Sequence, residues 1–463
     1  MVNEQLSRSL KTRHIAMISI GGIIGAGLFV GSSAAIAAAG PGIILSYLLT
    51  GALILLVMRM LGEMAVANPG TRSFTEFARL GLGNWAGFIA GWLYWYFWVV
   101  TVPVEAIAGA KILQTWIALP IWEIGLVLMA AMTAVNLMSA RSYGEFEFWF
   151  SSIKVAAILA FILVASAVVL GFHAGAPNSA GGAGLGNLTS HGGFMPHGPA
   201  AILAGCVTVF FALTGAEITT VAAAESEQPS RALAQLTTTL ILRIIAFYVA
   251  SVFLILCIVP WDSVKVGESP FVAALNTIGV SWAGMAMSFI VLTAVLSCLN
   301  SAFYVCSRVL FTLAEKGDAP PSIVALNARR VPTRSVWISA LAGVLGVLAA
   351  TWAPAAVFGF LVSASGAVIV FVYIMIAVAQ IRLRRSRHQD GVTEPALQMW
   401  GFPWLSWLAI ACMGAVLVAM AVTPSLQKDL YFSLLALAIA VGGYLVLRAR
   451  RSRARPAAAA PVS

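Results

Sequence analysis

The stretch GGIIGAG, residues 21–27, places four glycines in seven consecutive residues of a very apolar region. Glycine in a helix interior is destabilising by roughly 0.5–1 kcal/mol relative to alanine, so the cluster needs an explanation. One interpretation is close helix packing, since small residues let two helices approach. A dinucleotide-binding loop is excluded, because it requires GxGxxG after a strand. The third interpretation is a broken helix, whose unwound backbone is tolerated at membrane depth only where it lines a cavity.

The composition around this stretch predicts an all-α polytopic membrane protein. The chain has 463 residues, 60% hydrophobic and only 10% charged, with a mean hydropathy of +0.94. Soluble domains contain about 25% charged residues, and a membrane-crossing helix needs about 18 or more apolar residues. The apolar runs predict twelve transmembrane helices, at residues 15–39, 42–67, 84–110, 121–138, 148–171, 199–222, 237–260, 281–313, 335–353, 356–381, 403–423 and 428–447.

The distribution of basic residues predicts the orientation of these helices. The net charge is +10, yet only Lys111, Lys265 and Lys428 fall on the side opposite the N-terminus, and Lys154 lies within a span. All other Lys and Arg residues gather on the N-terminal side, which by the positive-inside rule places both termini in the cytoplasm. The basic tail RARRSRARP, residues 448–456, is expected to contact anionic lipid headgroups of the bilayer, and no nucleic-acid partner is expected.

The sequence carries no motif that indicates an enzyme or an ATP-driven pump. HExxH, GxSxG and GxxxxGK[ST] are absent, so no metal, hydrolytic or nucleotide site is expected. The five cysteines form no CxxC pair and are interpreted as small core residues; they are Cys206, Cys257, Cys298, Cys306 and Cys412. No cofactor is expected. A channel would need filter elements or charge rings, so a secondary transporter is favoured over a channel or a membrane enzyme.

A break at residues 21–27 would create a binding site for a zwitterion. The N–H groups that begin the outer half-helix favour a carboxylate, and the carbonyl groups that end the inner half-helix can accept hydrogen bonds from an ammonium group. Transporters with inverted repeats carry a second break at the matching position. With five helices per repeat, the partner of span 1 is span 6, which carries Thr214, Gly215 and Glu217 in mid-membrane.

Several stretches resemble the amino acid–polyamine–organocation superfamily of amino-acid permeases, and within it most of all the bacterial γ-aminobutyrate (GABA) permeases. Two stretches are specific for the superfamily: ISIGGIIGAGLFVGSSAAIAAAGPG (18–42) and GAEITTVAAAESEQP (215–229). Two more point to the GABA branch: GWLYWYFWVV (91–100) and SGAVIVFVYIMIAVAQIRLR (365–384). The resemblance implies proton-coupled uptake across the bacterial cytoplasmic (inner) membrane. It also implies a LeuT-type fold, a 5+5 inverted repeat with broken helices 1 and 6 plus two C-terminal helices.

On this basis the chain is divided into six parts. They are a cytoplasmic N-terminal segment (1–14), a first five-helix repeat with its outer loop (15–198), a second, inverted repeat (199–381), a cytoplasmic loop (382–402), transmembrane helices 11 and 12 (403–447) and a basic cytoplasmic tail (448–463).

The resemblance also implies the substrate contacts. It places the substrate carboxylate on the N–H groups of Ala26 and Gly27, near Gly25. It places the amine on the carbonyl of Ile23 and on span-6 carbonyls. The span-6 residues are Phe211, Thr214 and the adjoining Gly215, and Phe211 matches an aromatic residue that closes over the substrate. Without the resemblance, Phe211 could equally be a core phenylalanine.

The presence of Lys154 in span 5 needs an explanation, because placing an ionisable side chain in the middle of the membrane costs about 2.5–3.5 kcal/mol of free energy or more. It could extend to the inner headgroups, or it could be a proton site, since a desolvated lysine loses its proton more readily. The resemblance favours the proton site and places Lys154 against spans 1 and 8, where Ser301 is the expected neighbour together with Ser297 and Asn300.

Three further acidic residues lie in predicted spans. Glu217 follows the span-6 break and is assigned a structural and gating role. Glu105 in span 3 could take the substrate ammonium or a proton, or could lie in a solvated mouth. Glu63 and Arg59, near the inner end of span 2, are interpreted as an interfacial pair, with an inner gate as the alternative.

The substrate expectation is GABA and related short ω-amino acids, with β-alanine or proline as the alternative. Small residues near the predicted site, Ala26, Ala212 and Ala216, suggest a small pocket, although small residues also serve packing. The oligomeric state and the proton stoichiometry are left open.

Overall fold

The computed structural model describes residues 17–18, 22–68, 71, 73–138, 140–171, 184–218, 245–279, 281–352, 357, 361, 365–390 and 395–453. Several predicted features lie outside this range: the N-terminal segment 1–14, Gly21, most of the outer loop before residue 184, and the end of the basic tail. Parts of predicted spans 1, 6, 7 and 10 lie outside it as well.

Regular structure in the described residues is helical, apart from an isolated β-bridge between Leu326 and Pro332. The helices in chain order are α1 (Ala26–Phe29), α2 (Gly31–Ala39), α3 (Ile43–Ala67), α4 (Phe74–Leu82), α5 (Asn84–Leu113), α6 (Ile121–Met138), α7 (Ala140–Val169), α8 (Ala200–Leu213), α9 (Ile245–Ile258), α10 (Pro270–Thr277), α11 (Ser281–Glu315), α12 (Thr333–Ala349), α13 (Val368–Gln389), α14 (Trp404–Val422) and α15 (Pro424–Arg453).

Seven helical segments in the described part are long and apolar enough to cross a membrane. They are Gly31–Ala67, which joins α2 and α3 through a short 3-10 turn, then α5, α6, Arg141–Val169, Trp282–Glu315, α14 and Pro424–Ser452. Three shorter apolar helices, α8, α9 and α12, accompany them. The prediction of an all-helical, multi-pass membrane protein is therefore confirmed, while the count of twelve spans stays a prediction.

Two long helices, α5 and α11, form the centre of the bundle. They pack along one another, and α11 also packs against α7 and α12. Within its apolar stretch, 83% of the α11 segment is buried, against 17% for α15. Large aromatic residues fill the centre, and Trp98, Tyr94 and Tyr304 are at most 1% exposed. In contrast α15 exposes Leu435 and Ile439, the apolar exterior expected of a helix that faces lipid tails.

The short helix α4 lies beside the bundle because of the glycine that follows it. Gly83 has φ +100, a conformation that side chains disfavour, and its N–H donates to the carbonyl of Arg79 to end the helix. The chain then turns directly into α5, and α4 packs against both α5 and α13.

A charged cluster joins three elements at the end of the bundle where α11 stops, here called the charged end. Arg79 on α4 donates to the carboxylate of Asp318, which follows α11, and pairs with Glu76 at 3.2 Å. Arg451 on α15 donates to the carbonyl of Gly317 at 2.6 Å and approaches Asp318 at 3.4 Å. Burial alone would lower the pKa of Arg79, but the carboxylates of Glu76 and Asp318 raise it above its ordinary value.

Glu63, the other acid predicted near this end, has partners beyond the predicted pair with Arg59. It is fully buried and accepts hydrogen bonds from the backbone N–H of Met399 at 2.7 Å, from Gln380 at 3.1 Å and from Arg384 at 3.3 Å. It therefore connects α3 to α13 and to the loop before α14. Arg59 lies over the ring of Trp400 in the same loop.

We expect Asp318→Asn to lower stability by about 3 kcal/mol, because removing one partner of a buried ion pair leaves the other uncompensated. Asp318 is 2% exposed in its side chain, whereas Arg451 is 47% exposed. The control Arg451→Ala should therefore lower stability by less than about 1 kcal/mol, as for a surface pair. Thermal unfolding of the purified protein in detergent measures both. Equal losses for the two variants would contradict the ranking.

Candidate functional site

The first predicted break is present as a local departure from helical structure. Residues 22–23 are helical, Ile24 and Gly25 form a bend, and the chain re-enters a helix at Ala26. Gly25 is extended, with φ −134 and ψ −152. A second irregularity follows at Val30, between α1 and α2. The backbone N–H and C=O groups around Gly25 are therefore released from the regular helical pattern.

The second predicted break lies at the end of α8. Thr214 is extended, with φ −66 and ψ +141, and Gly215 has φ +125, which favours glycine. The N–H of Gly215 donates to the Glu217 carboxylate at 3.1 Å, and the hydroxyl of Tyr373 on α13 donates to the same oxygen at 2.8 Å. Glu217 thus binds a backbone group that the break releases.

The two breaks meet backbone to backbone. A Cβ added at Gly215 would lie 2.5 Å from the carbonyl oxygen of Gly22, and one added at Gly27 would lie 2.8 Å from the Cα of Ala212. Glycine is required at both contacts because no side chain fits between the segments. Tyr248 on α9 joins them as well, since its hydroxyl lies 2.8 Å from the carbonyl oxygen of Ile23 and 2.9 Å from that of Ala212.

A small, water-sized cavity of about 20 Å³ lies between the two breaks and α5. Its walls come from the broken segment, from α5, from α8 and the residue after it, and from α11. The lining residues are Gly22, Ile23, Gly25, Gly27, Phe97, Trp98, Thr101, Glu105, Phe211, Ala212, Thr214 and Cys298. The structure thus brings together predicted residues from spans 1, 3 and 6, and the rings of Phe97 and Phe211 are 5.9 Å apart.

Glu105 carries the acidic group of this cavity. It is 1% exposed, so it does not occupy a solvated mouth. Its carboxyl group lies beside the backbone N–H of Ala26 and the thiol of Cys298, and its Oε1 would be 3.1 Å from a Cβ at Gly25. Its Oε2 is buried without a hydrogen-bond partner among the described residues. An acidic side chain therefore occupies the region predicted for the substrate carboxylate.

Lys154 is fully buried on α7 and does not extend to a headgroup. Its ammonium donates to the carbonyl of Ile24 at 2.8 Å and to the hydroxyl of Ser297 at 2.8 Å. The lysine is thus bonded directly to the bend in the first broken segment. The predicted neighbour Ser301 lies one turn further along α11 and bonds Tyr143 at 3.1 Å, while Asn300 bonds Asn136 at 2.8 Å.

Among the buried residues at this site that were not predicted are Glu147 and Tyr248. Glu147 is fully buried, and its Oε1 lies 4.0 Å from the Lys154 ammonium. The signal for it was available, because residues seven apart on a helix lie on the same face. Tyr248 offered no such signal, since its position between two carbonyls depends on how α9 packs. In the part of the chain that the structure describes, no three His, Cys, Asp or Glu residues are arranged to hold a metal ion.

Comparison with known proteins gives the family. The family model for amino acid permeases matches residues 14–457. This chain belongs to the amino acid permease family. The family is one of transporters rather than enzymes, and the resemblance seen in the sequence is confirmed.

Relatives of this permease include transporters of different amino acids. The gamma-aminobutyric acid permease of Bacillus subtilis (strain 168) is 44% identical over 99% of this chain and 97% of its own length. That of Escherichia coli (strain K12) is 43% identical over 92% of this chain and 91% of its own. The aromatic amino acid transport protein AroP of Escherichia coli (strain K12) is 37% identical over 96% of both chains.

We expect Gly27→Ala to reduce amino-acid uptake by roughly tenfold or more, because overpacking costs about 1–3 kcal/mol and each 1.4 kcal/mol is tenfold. The added methyl group would press on the backbone of α8 at Ala212 and separate the two broken segments. Gly31→Ala is the matched control, since its Cβ meets nothing closer than 3.5 Å. Uptake into proteoliposomes, with thermal unfolding in parallel, measures both. Equal loss of uptake in the two variants would show that the contact is unimportant.

Proposed function

We propose that this permease imports GABA and related short ω-amino acids across the bacterial cytoplasmic membrane by proton symport with alternating access. The small cavity beside the two breaks carries the proposal, because released backbone groups, an acidic side chain and aromatic walls meet there. Two GABA permeases at 43–44% identity over nearly the whole chain support the choice of substrate.

The proposed architecture has twelve spans in a LeuT-type 5+5 inverted repeat, followed by two C-terminal helices. The matching breaks near Gly25 and Gly215 support this proposal, since one falls in the first helix of each proposed repeat. The low burial of α15 supports a peripheral place for the last two helices. The charged end is proposed to face the cytoplasm, with both termini on that side.

The substrate carboxylate is proposed to bind the N–H groups of Ala26 and Gly27, next to Gly25. Extended backbone at a helix start aims N–H groups at an anion. The position of Glu105 beside the N–H of Ala26 supports an anion site there. A second carboxylate would be repelled if Glu105 carried its charge. Binding of the substrate carboxylate therefore favours a protonated Glu105, which links substrate binding to proton uptake.

The substrate amine is proposed to reach the carbonyl of Ile23 and the backbone at Phe211 and Thr214, before Gly215. All four residues lie at the meeting point of the two breaks. The Ile23 carbonyl already accepts from Tyr248, but a carbonyl oxygen has two lone pairs and can accept from an ammonium group as well. Phe211 is proposed to close over the substrate, and the 5.9 Å distance between its ring and that of Phe97 in the cavity wall supports this role.

Lys154 is proposed to couple proton movement to the first break, with Ser301 in the same polar cluster. A hydrogen bond from a charged donor contributes about 1.5–3 kcal/mol, and Lys154 makes one to Ile24 in the bend itself. Loss of the ammonium proton weakens this bond and releases the broken segment. Glu217 is proposed to hold the second break for gating, through Gly215 and Tyr373.

The decisive experiment is labelled GABA uptake into proteoliposomes, with and without an inward proton gradient. A tenfold excess of unlabelled β-alanine, proline, lysine or phenylalanine is added in parallel. Accumulation that depends on the gradient and is competed by β-alanine supports proton–GABA symport. Accumulation of proline, or of phenylalanine as the relation to AroP would allow, without any GABA uptake would refute the substrate proposal.

Lys154→Ala should abolish accumulation of substrate against its gradient while exchange of internal for external substrate persists. Exchange needs the cavity and alternating access, but it does not need net proton movement. Lys111→Ala is the matched control, because Lys111 is exposed at the end of α5. Concentrative uptake by Lys154→Ala at the wild-type level would refute the coupling role.

Glu105→Gln should make substrate affinity nearly independent of pH, because glutamine imitates the protonated acid and cannot be charged. In the wild type, affinity should weaken as pH rises and Glu105 loses its proton. Glu268→Gln, which alters an exposed loop acid, should keep the wild-type profile. Apparent affinities measured by competition across a pH series decide the matter, and a retained pH dependence in Glu105→Gln would contradict the assignment.

A further inference from the structure

A buried polar path leads from Lys154 towards the charged end of the bundle. On α7, Lys154, Glu147 and Tyr143 are spaced seven and four residues apart, which places them on one helix face. On the facing α11, Ser297 and Ser301 are spaced by one turn. All five side chains are at most 1% exposed. None of these groups except Lys154 and Ser301 has a role in the transport mechanism proposed above.

The first link of the path is a serine bridge. The Lys154 ammonium donates to Ser297 Oγ at 2.8 Å, and the Ser297 hydroxyl donates to Glu147 Oε1. The direct distance from Lys154 Nζ to Glu147 Oε1 is 4.0 Å, which is too long for a hydrogen bond. Lys154 and Glu147 attract one another directly, and Ser297 is the group that connects them by hydrogen bonds.

One oxygen of the Glu147 carboxylate is available to accept a proton. Its Oε1 accepts from Ser297 and also from Ser151 at 3.2 Å. Its Oε2 is buried and has no hydrogen-bond partner in the described structure. A buried carboxylate that accepts hydrogen bonds on only one oxygen is energetically unfavourable. A permanent ion pair with Lys154 would leave the second oxygen without a partner, whereas protonation of Glu147 would not require one.

The second link leads away from the cavity. Ser301 lies beside the Glu147 carboxyl and 3.1 Å from the Tyr143 hydroxyl. The ring of Tyr143 stacks on that of Tyr304 at 4.0 Å, and the guanidinium of Arg308 lies 4.1 Å from the Tyr304 ring centre. These stacked rings close the path towards the charged end in this conformation.

We propose that Glu147 is the acceptor that takes the proton from Lys154 and passes it towards the charged end. The inference rests on the proposed proton symport. In the first step a Lys154 N–H bond breaks and a Ser297 O–H bond forms, while the former Ser297 O–H bond breaks and an O–H bond forms on Glu147. Lysine and glutamate both become neutral. In the second step the Glu147 proton leaves through the Ser301 and Tyr143 hydroxyls to water.

The charged groups around the pair come from three helices. Glu147 shares α7 with Lys154. The other charged side chains nearby are Glu105 on α5, which interacts electrostatically with Lys154, and Arg308 on α11, which interacts electrostatically with Tyr143. Glu105 lines the cavity, whereas Glu147 is outside the cavity lining and lies 4.0 Å from the Lys154 ammonium. In the proposed relay Glu105 is the acid on the substrate side and Glu147 the acid that leads to the exit.

The test compares Glu147→Gln with wild type and with Glu145→Gln, a partly exposed acid two residues away on α7. Proteoliposomes with an internal pH indicator report amino-acid accumulation and proton uptake together, and exchange is measured separately. We expect Glu147→Gln to lose accumulation and proton uptake by ~100-fold, the lower end of the range for a positioned proton-transfer group. Its exchange should stay within about twofold of wild type, and Glu145→Gln should behave as wild type. Wild-type coupling in Glu147→Gln, or loss of exchange together with accumulation, would overturn the relay.

Two further measurements keep the test decisive. If Glu147→Gln fails to fold, Ser297→Ala removes the bridge and Ser297→Thr restores its hydroxyl. Coupling should fall in the first and return in the second, and equal behaviour would overturn the bridge. The amino acid used is the one that wild type accumulates, so failure of GABA as substrate is told apart from failure of the relay. Accumulation without proton uptake in wild type would refute symport and the relay together.

Infrared difference spectra between two pH values, without substrate, should show a carboxylic acid band that Glu147→Gln lacks.

Discussion

The structure depends on how backbone groups released at two helix breaks are satisfied where water is scarce. A helix that spans a membrane satisfies its own N–H and C=O groups, and a break gives up part of that arrangement. Here side chains from other helices replace it. Lys154 binds the carbonyl of Ile24, Tyr248 lies against those of Ile23 and Ala212, and Glu217 binds the N–H of Gly215. Each comes from, or is held by, a helix outside the break that it serves, so the bundle has to be assembled before either break is stable.

The charged side chains that form hydrogen bonds with the broken segments are also side chains that can gain or lose a proton. A buried lysine or glutamate that only stabilised the backbone could be replaced by a neutral donor or acceptor at less cost. Lys154 instead contacts the first break, Ser297 and, through it, Glu147. The same bond that stabilises the bend can therefore respond to the movement of a proton. The Lys154–Ile24 hydrogen bond therefore both stabilises the local backbone and takes part in the proposed coupling mechanism.

The sequence predicted the helical membrane fold and the regions of both breaks, because glycine content and hydropathy are local properties. It predicted Glu105, Phe211 and Thr214 as parts of the site, and the structure places all three around one cavity. Their roles stay proposals. Glu147 was missed although its helical spacing from Lys154 was readable, whereas Tyr248 and Tyr373 could not have been found. Their hydroxyls reach the breaks only because α9 and α13 pack there, and no local pattern carries that information.

The contact between Gly215 and Gly22 has a consequence for motion. At Gly215 the two broken segments meet through main-chain atoms, since an added Cβ would lie 2.5 Å from the carbonyl oxygen of Gly22, while the side chain of Ile218 packs against Gly22 beside this contact. Side chains that interlock must change rotamer or separate before two segments can slide. The two glycines have no rotamers to change, so a small displacement here requires few side chains to repack, chiefly that of Ile218. In the proposed transport cycle, this glycine contact is therefore where the two broken segments can slide past one another with the least rearrangement of side chains.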